Sequence, residues 1–282
     1  MWREGNTSII VGNAFRLGYV NGVGAEARLS LVMSKIELEN STWLLTDYGN
    51  HCIRVLNVTS RTIGHYLGNC QRRSNPPSIR PIGFSYPFGL IKDRFNENNF
   101  YLSQQNRVWR INIATFEIVA IFEDIIKEAS TLYTQMVWYD NSLIVVNLNI
   151  IFRFDFSNRT DEPPETFYTF VDKIEWRNVS GTVAHERSYP QIIASITACD
   201  IDGIYIGVDL VNQMVRLIDF NAHRALTVCE KNPVNSSYYC SMNSPRSIVY
   251  HSNTSTLYVG TQREIAIKRG EARTRGDALG YA

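Results

Sequence analysis

Residues 43–55 read Trp43-Leu44-Leu45-Thr46-Asp47-Tyr48-Gly49-Asn50-His51-Cys52-Ile53-Arg54-Val55. An apolar strand, Trp43 to Thr46, runs into the bend Asp47-Tyr48-Gly49-Asn50. The bend has a mechanism, because an Asp side chain can accept backbone N–H bonds across it and Asn or Gly tolerates the left-handed conformation it requires. The plan recurs where Ile204 to Val208 leads into Asp209-Leu210-Val211-Asn212, and in relaxed form at Ser103-Gln104-Gln105-Asn106. After each bend comes a basic residue with an aliphatic or aromatic residue on at least one side: Ile53-Arg54-Val55, Trp109-Arg110-Ile111, Phe152-Arg153-Phe154, Val215-Arg216-Leu217 and Ile267-Lys268-Arg269. The basic positions are separated by 56, 43, 63 and 52 residues. In a strand such a residue faces away from its aliphatic neighbours, so its stem can pack on the next repeat and its head can reach solvent or a carboxylate.

A further strand precedes each bend-bearing strand, as in Leu29 to Leu38, Pro87 to Lys92, Met136 to Tyr139 and Pro245 to Tyr250. Four strands with their turns need about fifty residues, the length of a propeller blade. Helical periodicity is hard to find, so the expected fold is all-β, a β-propeller of four-stranded blades. The first unit resembles the NHL repeat in Ile9-Ile10-Val11-Gly12, in Gly18-Tyr19-Val20-Asn21-Gly22-Val23-Gly24-Ala25-Glu26-Ala27 and in Asp47-Tyr48-Gly49-Asn50-His51-Cys52-Ile53-Arg54. Later units keep less of it: Asp209, Asn212 and Arg216 in the fourth, Asn243-Ser244-Pro245 and Leu257-Tyr258-Val259-Gly260 in the fifth. Thr7 to Gly12 reads as an outermost strand, and the last unit stops after its third strand near Arg269. The N-terminal strand is thus expected to complete the C-terminal blade, closing five blades; six are the alternative. Residues 1–270 form the propeller on this reading, and 271–282 a polar tail.

The 28 basic residues nearly cancel the 27 acidic ones, which argues against a nucleic-acid partner. No apolar stretch reaches membrane-span length, and Met1 to Gly12 lacks the apolar core of a signal peptide. Seven Asn-x-Ser/Thr sequons, at Asn6, Asn40, Asn57, Asn158, Asn178, Asn235 and Asn253, exceed the roughly 3 to 4 of a shuffled chain. Most fall at expected turns, where a glycan fits. Asn57 and Asn158 are expected in equivalent third-to-fourth-strand turns, Asn40 and Asn253 in equivalent first-to-second-strand turns. An extracellular or lumenal setting follows, with the missing signal read as a mature fragment or an incomplete gene model.

Cys52, Cys70, Cys199, Cys229 and Cys240 permit two bridges and one thiol. Cys52 begins a third strand and Cys70 ends the fourth, with their midpoint beside the expected turn at Val58 to Arg61, so the two should face each other within disulfide range. Cys229 and Cys240 would staple a crossover, leaving Cys199, in the apolar run from Ile192, as a buried thiol.

Signs of catalysis are scarce. The five histidines show no metal-ligand spacing; His51, His223 and His251 sit at turns, His65 on an outer strand and His185 in an irregular segment. Gly18 to Gly24 has no following Lys-Ser/Thr, and Asp200-Ile201-Asp202-Gly203 lacks the remaining ligands of a calcium loop. Arg275-Gly276-Asp277 lies in the tail. The expected function is a monomeric binding scaffold without cofactor that engages a protein or glycan partner through propeller loops, with the aromatic-bearing excursions Gln71 to Tyr86 and Asn158 to Pro190 as candidate contacts. The enzymatic alternative is a metal-dependent lyase like the NHL-type peptide-amidating enzymes, whose ligands have no residue-by-residue match here.

Overall fold

A computed structural model describes residues 8–13, 15–70, 83–104, 107–123, 134–139, 141–147, 150–156, 193–201, 204–209, 213–219, 224–230, 245–261 and 265–269. The described residues are all-β and form five antiparallel sheets, and the chain divides into two compact units, residues 1–134 and 135–282.

In the first unit, sheet 1 contains β1 (Gly22–Val23), β2 (Val32–Glu37), β3 (Thr42–Asp47), β4 (Cys52–Asn57) and β5 (Thr62–Gly68), ordered β1-β5-β4-β3-β2. Sheet 2 contains β6 (Pro87–Lys92), β7 (Asn99–Gln104), β8 (Arg107–Asn112) and β9 (Ile118–Glu123) in chain order. Alternation puts Ile36, Leu44 and Ile53 on one face of sheet 1, where they pack with Phe100, Leu102, Trp109 and Ile111 of sheet 2. Burying each such side chain contributes about 1.5–3 kcal/mol. Hydroxyls stitch the inner strands: Ser34 Oγ accepts the Leu90 N–H at 3.0 Å, and Thr46 Oγ1 donates to the Phe88 carbonyl at 3.0 Å.

The second unit holds sheet 3, with β10 (Thr134–Tyr139), β11 (Ser142–Asn147) and β12 (Ile150–Asp155). Sheet 4 follows with β13 (Ile193–Ala198), β14 (Ile204–Asp209), β15 (Met214–Asp219) and β16 (Arg224–Glu230), then sheet 5 with β17 (Pro245–His251), β18 (Thr256–Thr261) and β19 (Ile265–Arg269). Ile144 and Val146 pack with Ile196, Tyr205 and Ile218, and Val208 and Val215 with Ile248, Leu257 and Val259. The hydroxyl stitch recurs between β13 and β17, where Ser195 Oγ accepts the Ile248 N–H at 3.2 Å.

The N-terminal segment departs from expectation. Residues 8–12 form no strand. Ile10 and Val11 instead pack on the cluster of Ala27, Leu45, Leu56 and Ile63 behind sheet 1. The physical reason is local: Arg61 donates to the carbonyls of Ile10 (3.1 Å) and Ile9 (2.6 Å), and the Gly12 N–H donates to the Gly24 carbonyl at 2.9 Å.

Candidate functional site

At one end of sheet 1 the Asp47–His51 bend builds a buried polar node. Asp47 Oδ2 accepts Arg54 Nη1 at 2.9 Å and the Asn50 amide at 2.8 Å, while Oδ1 accepts the Ser30 N–H at 2.8 Å. Across its own bend Asp47 accepts the Asn50 side-chain amide rather than the backbone N–H groups that the sequence suggests, and its backbone donor is Ser30, in the segment entering β2. Arg54 spends all five of its N–H donors: on Asp47, on the carbonyls of Arg28 (3.2 Å), Val20 (3.2 Å) and Gly64 (3.1 Å), and on Asn21 Oδ1 (2.8 Å). Tyr19 lies against its guanidinium, 4.5 Å from the ring centroid. Both charged side chains are 0% exposed. Burial pushes the Asp47 carboxyl above its usual value, opposed by Asn50, the Ser30 N–H and Arg54. A pair with every donor used is a structural clamp, here binding residues 18–30 to the sheet.

The clamp sets the backbone above it. The Tyr48 and Gly49 N–H groups donate to the carbonyls of Leu31 (3.0 Å) and Ser30 (2.7 Å). A side chain at Gly49 would put its Cβ 2.8 Å from the Ser30 carbonyl oxygen, so only glycine fits. Leu31 is thereby held at φ +61°, an unfavourable conformation for leucine, with its side chain 57% exposed.

Beside Leu31 stands an aromatic group. The rings of Tyr48 and Tyr86 are 5.0 Å apart, those of His51 and Tyr86 4.3 Å, and Phe88 meets Tyr48 edge-on at 6.2 Å. His51 sits in the left-handed region at φ +60°, and its Nδ1 accepts the Tyr86 N–H at 3.2 Å, which fixes the ring. Beneath it the disulfide Cys52–Cys70 ties β4 to the segment after β5, with 5.0 Å between Cα atoms. The pairing agrees with the sequence reading and the register does not. Cys52 lies opposite Gly68, because Asn57 pairs with Thr62 and the turn therefore centres between Thr59 and Ser60, earlier than expected; a bulge between Ile53 and Arg54 recovers one residue of the difference. Cys70 reaches back only because the chain turns at Gly68 (φ +93°), where a Cβ would come within 2.6 Å of the Phe84 ring.

The other candidate positions are dispersed. Asn40 is exposed in the β2–β3 turn, Asn57 ends β4 and Asn253 is exposed in the β17–β18 turn. His65 contacts the Gly68 carbonyl and His251 Nδ1 the Thr254 hydroxyl. Gly18 and Val20 bond to the Leu29–Arg28 backbone as a connection, and Asp200 accepts the Tyr250 hydroxyl at 2.9 Å. Cys199, expected buried, follows β13 and is partly exposed, because the strand ends one residue earlier; burial still pushes its thiol up. Asn6, Asn158, Asn178, Asn235, His185, His223, Cys240, the Arg275-Gly276-Asp277 tripeptide, residues 71–82 and 157–192, and the Cys229 side chain lie outside the described residues. Among the described residues no three His, Cys, Asp or Glu side chains gather as a metal site.

Equating Arg110 and Arg153 with Arg54 is an error of register. Arg54 pairs with Leu45, two residues before the strand end at Asp47, and Arg216 pairs with Gly207, two before Asp209. Arg110 pairs with Tyr101 and Arg153 with Ile144, each three before the strand end. One position moves a residue to the opposite face of a sheet. The place of Arg54 in sheet 2 belongs to Trp109, opposite Leu102. Among the described side chains sheet 4 repeats the ion pair, with Arg216 Nε 3.5 Å from Asp209 Oδ2 and both side chains buried.

Solved structures share this architecture. The β-propeller domain of Cps50 (Swd1) from Myceliophteria thermophila matches at 9% identity and TM-score 0.53, over 90% of this chain and 69% of that one. The chain has a β-propeller fold. An auxiliary nutrient binding protein from Bacteroides thetaiotaomicron matches at 13% identity and TM-score 0.53 (85% of this chain, 69% of that one). A propeller in a nidogen/laminin complex matches at 9% identity and TM-score 0.54 (86% and 77%). No family model matches the chain, and no curated protein matches it. At such identities the likeness is one of fold.

Proposed function

We propose that this propeller is an extracellular or lumenal binding scaffold of five NHL-like blades over residues 1–270, which engages a protein or glycan partner through the loop end of sheets 1 and 2 that carries Leu31, Tyr48 and Tyr86. One observation carries the reading: the Arg54 clamp and the Cys52–Cys70 bridge hold rigid the very turns that present a strained, exposed leucine beside packed aromatic rings. Strain kept at an exposed apolar side chain marks a position selected for contact, and tyrosines are the preferred anchors of interfaces. The Cys52–Cys70 disulfide and the extracellular neighbours support the compartment, and the same reading includes a second bridge, Cys229–Cys240. The metal-dependent lyase alternative calls for a convergent donor set.

The test is to secrete the full chain and screen it against an array of glycans and an array of purified extracellular ectodomains. A selective ligand is expected, weakened at least tenfold in a Tyr48→Ala/Tyr86→Ala variant whose thermal unfolding is unchanged. A ligand indifferent to that variant, or stoichiometric zinc that survives dialysis, overturns the reading.

A further inference from the structure

The two ends of the sheets differ in what their turns can carry. Asn40 lies in the β2–β3 turn and is exposed at φ +54°. Asn57 ends β4 at the β4–β5 turn; its Oδ1 accepts the Ser60 N–H (2.8 Å) and hydroxyl (2.9 Å), which anchors the carboxamide through its oxygen. The Val58 N–H donates to the Ser41 carbonyl at 2.9 Å, so the two turns are joined backbone to backbone at one end of sheet 1. Asn253, in the β17–β18 turn, holds the place in sheet 5 that Asn40 holds in sheet 1. An antiparallel meander puts first-to-second and third-to-fourth turns at one end and second-to-third turns at the other. Leu31, Tyr48, His51 and Tyr86 belong to the other end, around the β3–β4 turn and the entries to β2 and β6.

We infer that Asn40, Asn57 and Asn253 carry N-linked glycans, that these all leave from one end of their sheets, and that in sheet 1 the end bearing Leu31 and Tyr48 is left uncovered. This rests on the extracellular reading proposed above and adds which end is shielded. In the transfer, the Asn Nδ2 bonds to the anomeric carbon of a lipid-pyrophosphate-linked oligosaccharide. The bond from that carbon to the pyrophosphate oxygen breaks, the lipid pyrophosphate leaves, and Nδ2 gives up one proton to a base of the transferase. The product is an exposed glycan on a turn, which costs the sheet no ladder bond. On sheet 1 two glycans stand side by side.

The experiment secretes the full chain from a eukaryotic cell line and maps glycopeptides after enzymatic release in heavy-oxygen water, which labels each formerly occupied Asn. Occupancy at Asn40, Asn57 and Asn253 is expected, and an unmodified Asn40, Asn57 or Asn253 overturns the inference. Hydroxyl-radical footprinting before and after glycan removal then reads the shielding. Labelling should rise at least twofold at Leu38 and Val58 on removal and stay within 20% at Leu31, Val32 and Tyr48 (roughly the scatter of such a measurement against the twofold expected). A rise confined to Leu31 and Tyr48 overturns it. Neither arm uses a ligand, so a failed array screen leaves this result standing, and absent glycans leave the array result standing.

Discussion

Sheets 1 and 2 are built to one strand plan and solve their turn ends differently. Sheet 1 spans four residues between β3 and β4 and fills the position opposite Leu45 with an arginine whose five donors are all used inside the protein. Sheet 2 spans only Gln105 and Asn106 between β7 and β8, and the same position holds Trp109, packed in an apolar cluster, while Arg110 points to the other face half-buried. Sheet 1 has a carboxylate at the end of β3, which takes both the incoming Ser30 N–H and the arginine; in sheet 2 the neutral Gln104 at the end of β7 accepts the incoming Ser85 N–H at 3.1 Å but offers no charge for an arginine to pair with. The basic residue of the repeat therefore has two meanings, and the residue that ends the preceding strand decides between them.

Substitutions should separate the two. Arg54→Ala strands the buried Asp47 carboxylate and is expected to cost about 3–5 kcal/mol in denaturant unfolding. Replacing both partners, as Asp47→Leu/Arg54→Met, should recover more than half of that loss. Next in size, Cys52→Ser/Cys70→Ser opens a loop of 18 residues that sheet 2 lacks and should cost about 3 kcal/mol, seen as a lower denaturant midpoint. Leu31→Asn should work in the opposite direction, raising stability by about 1 kcal/mol, since Asn tolerates the left-handed backbone. Smallest is Arg110→Ala, about 0.5 kcal/mol or less by the same titration. An Arg110 loss equal to that of Arg54 would erase the distinction between the sheets.

The strands were legible because alternation and turn residues are local signals: β6 begins at Pro87 and ends at Lys92 as read from sequence. The Cys52–Cys70 pairing was legible for the same reason, while the register was not: the turn centres between Thr59 and Ser60, and the bulge that shifts the ladder by one leaves no mark in the pattern of side chains. Arg110 was misread because a motif of three residues does not record how many residues the preceding turn contains. Residues 8–12 carry a strand-like Ile9-Ile10-Val11, but hydrogen bonds from Arg61, fifty residues on, decide where they lie. Of the candidate site, the bend at Asp47 was visible. The convergence of Tyr48, His51 and Tyr86 was not, because it depends on how β6 enters beside the bend.

The Cys52–Cys70 bridge has a mechanical side. A pulling force along the chain reaches the sulfur–sulfur bond before it reaches the β4–β5 hairpin, and the chain between the cysteines, a sequence separation of 18 and about 60 Å of extensible contour, is taken out of the load path. Tension then passes from Cys52 straight to Cys70, so under load the whole β4–β5 hairpin rides as slack. The hairpins of sheet 2 have no such bypass and would pay out their full length one strand at a time.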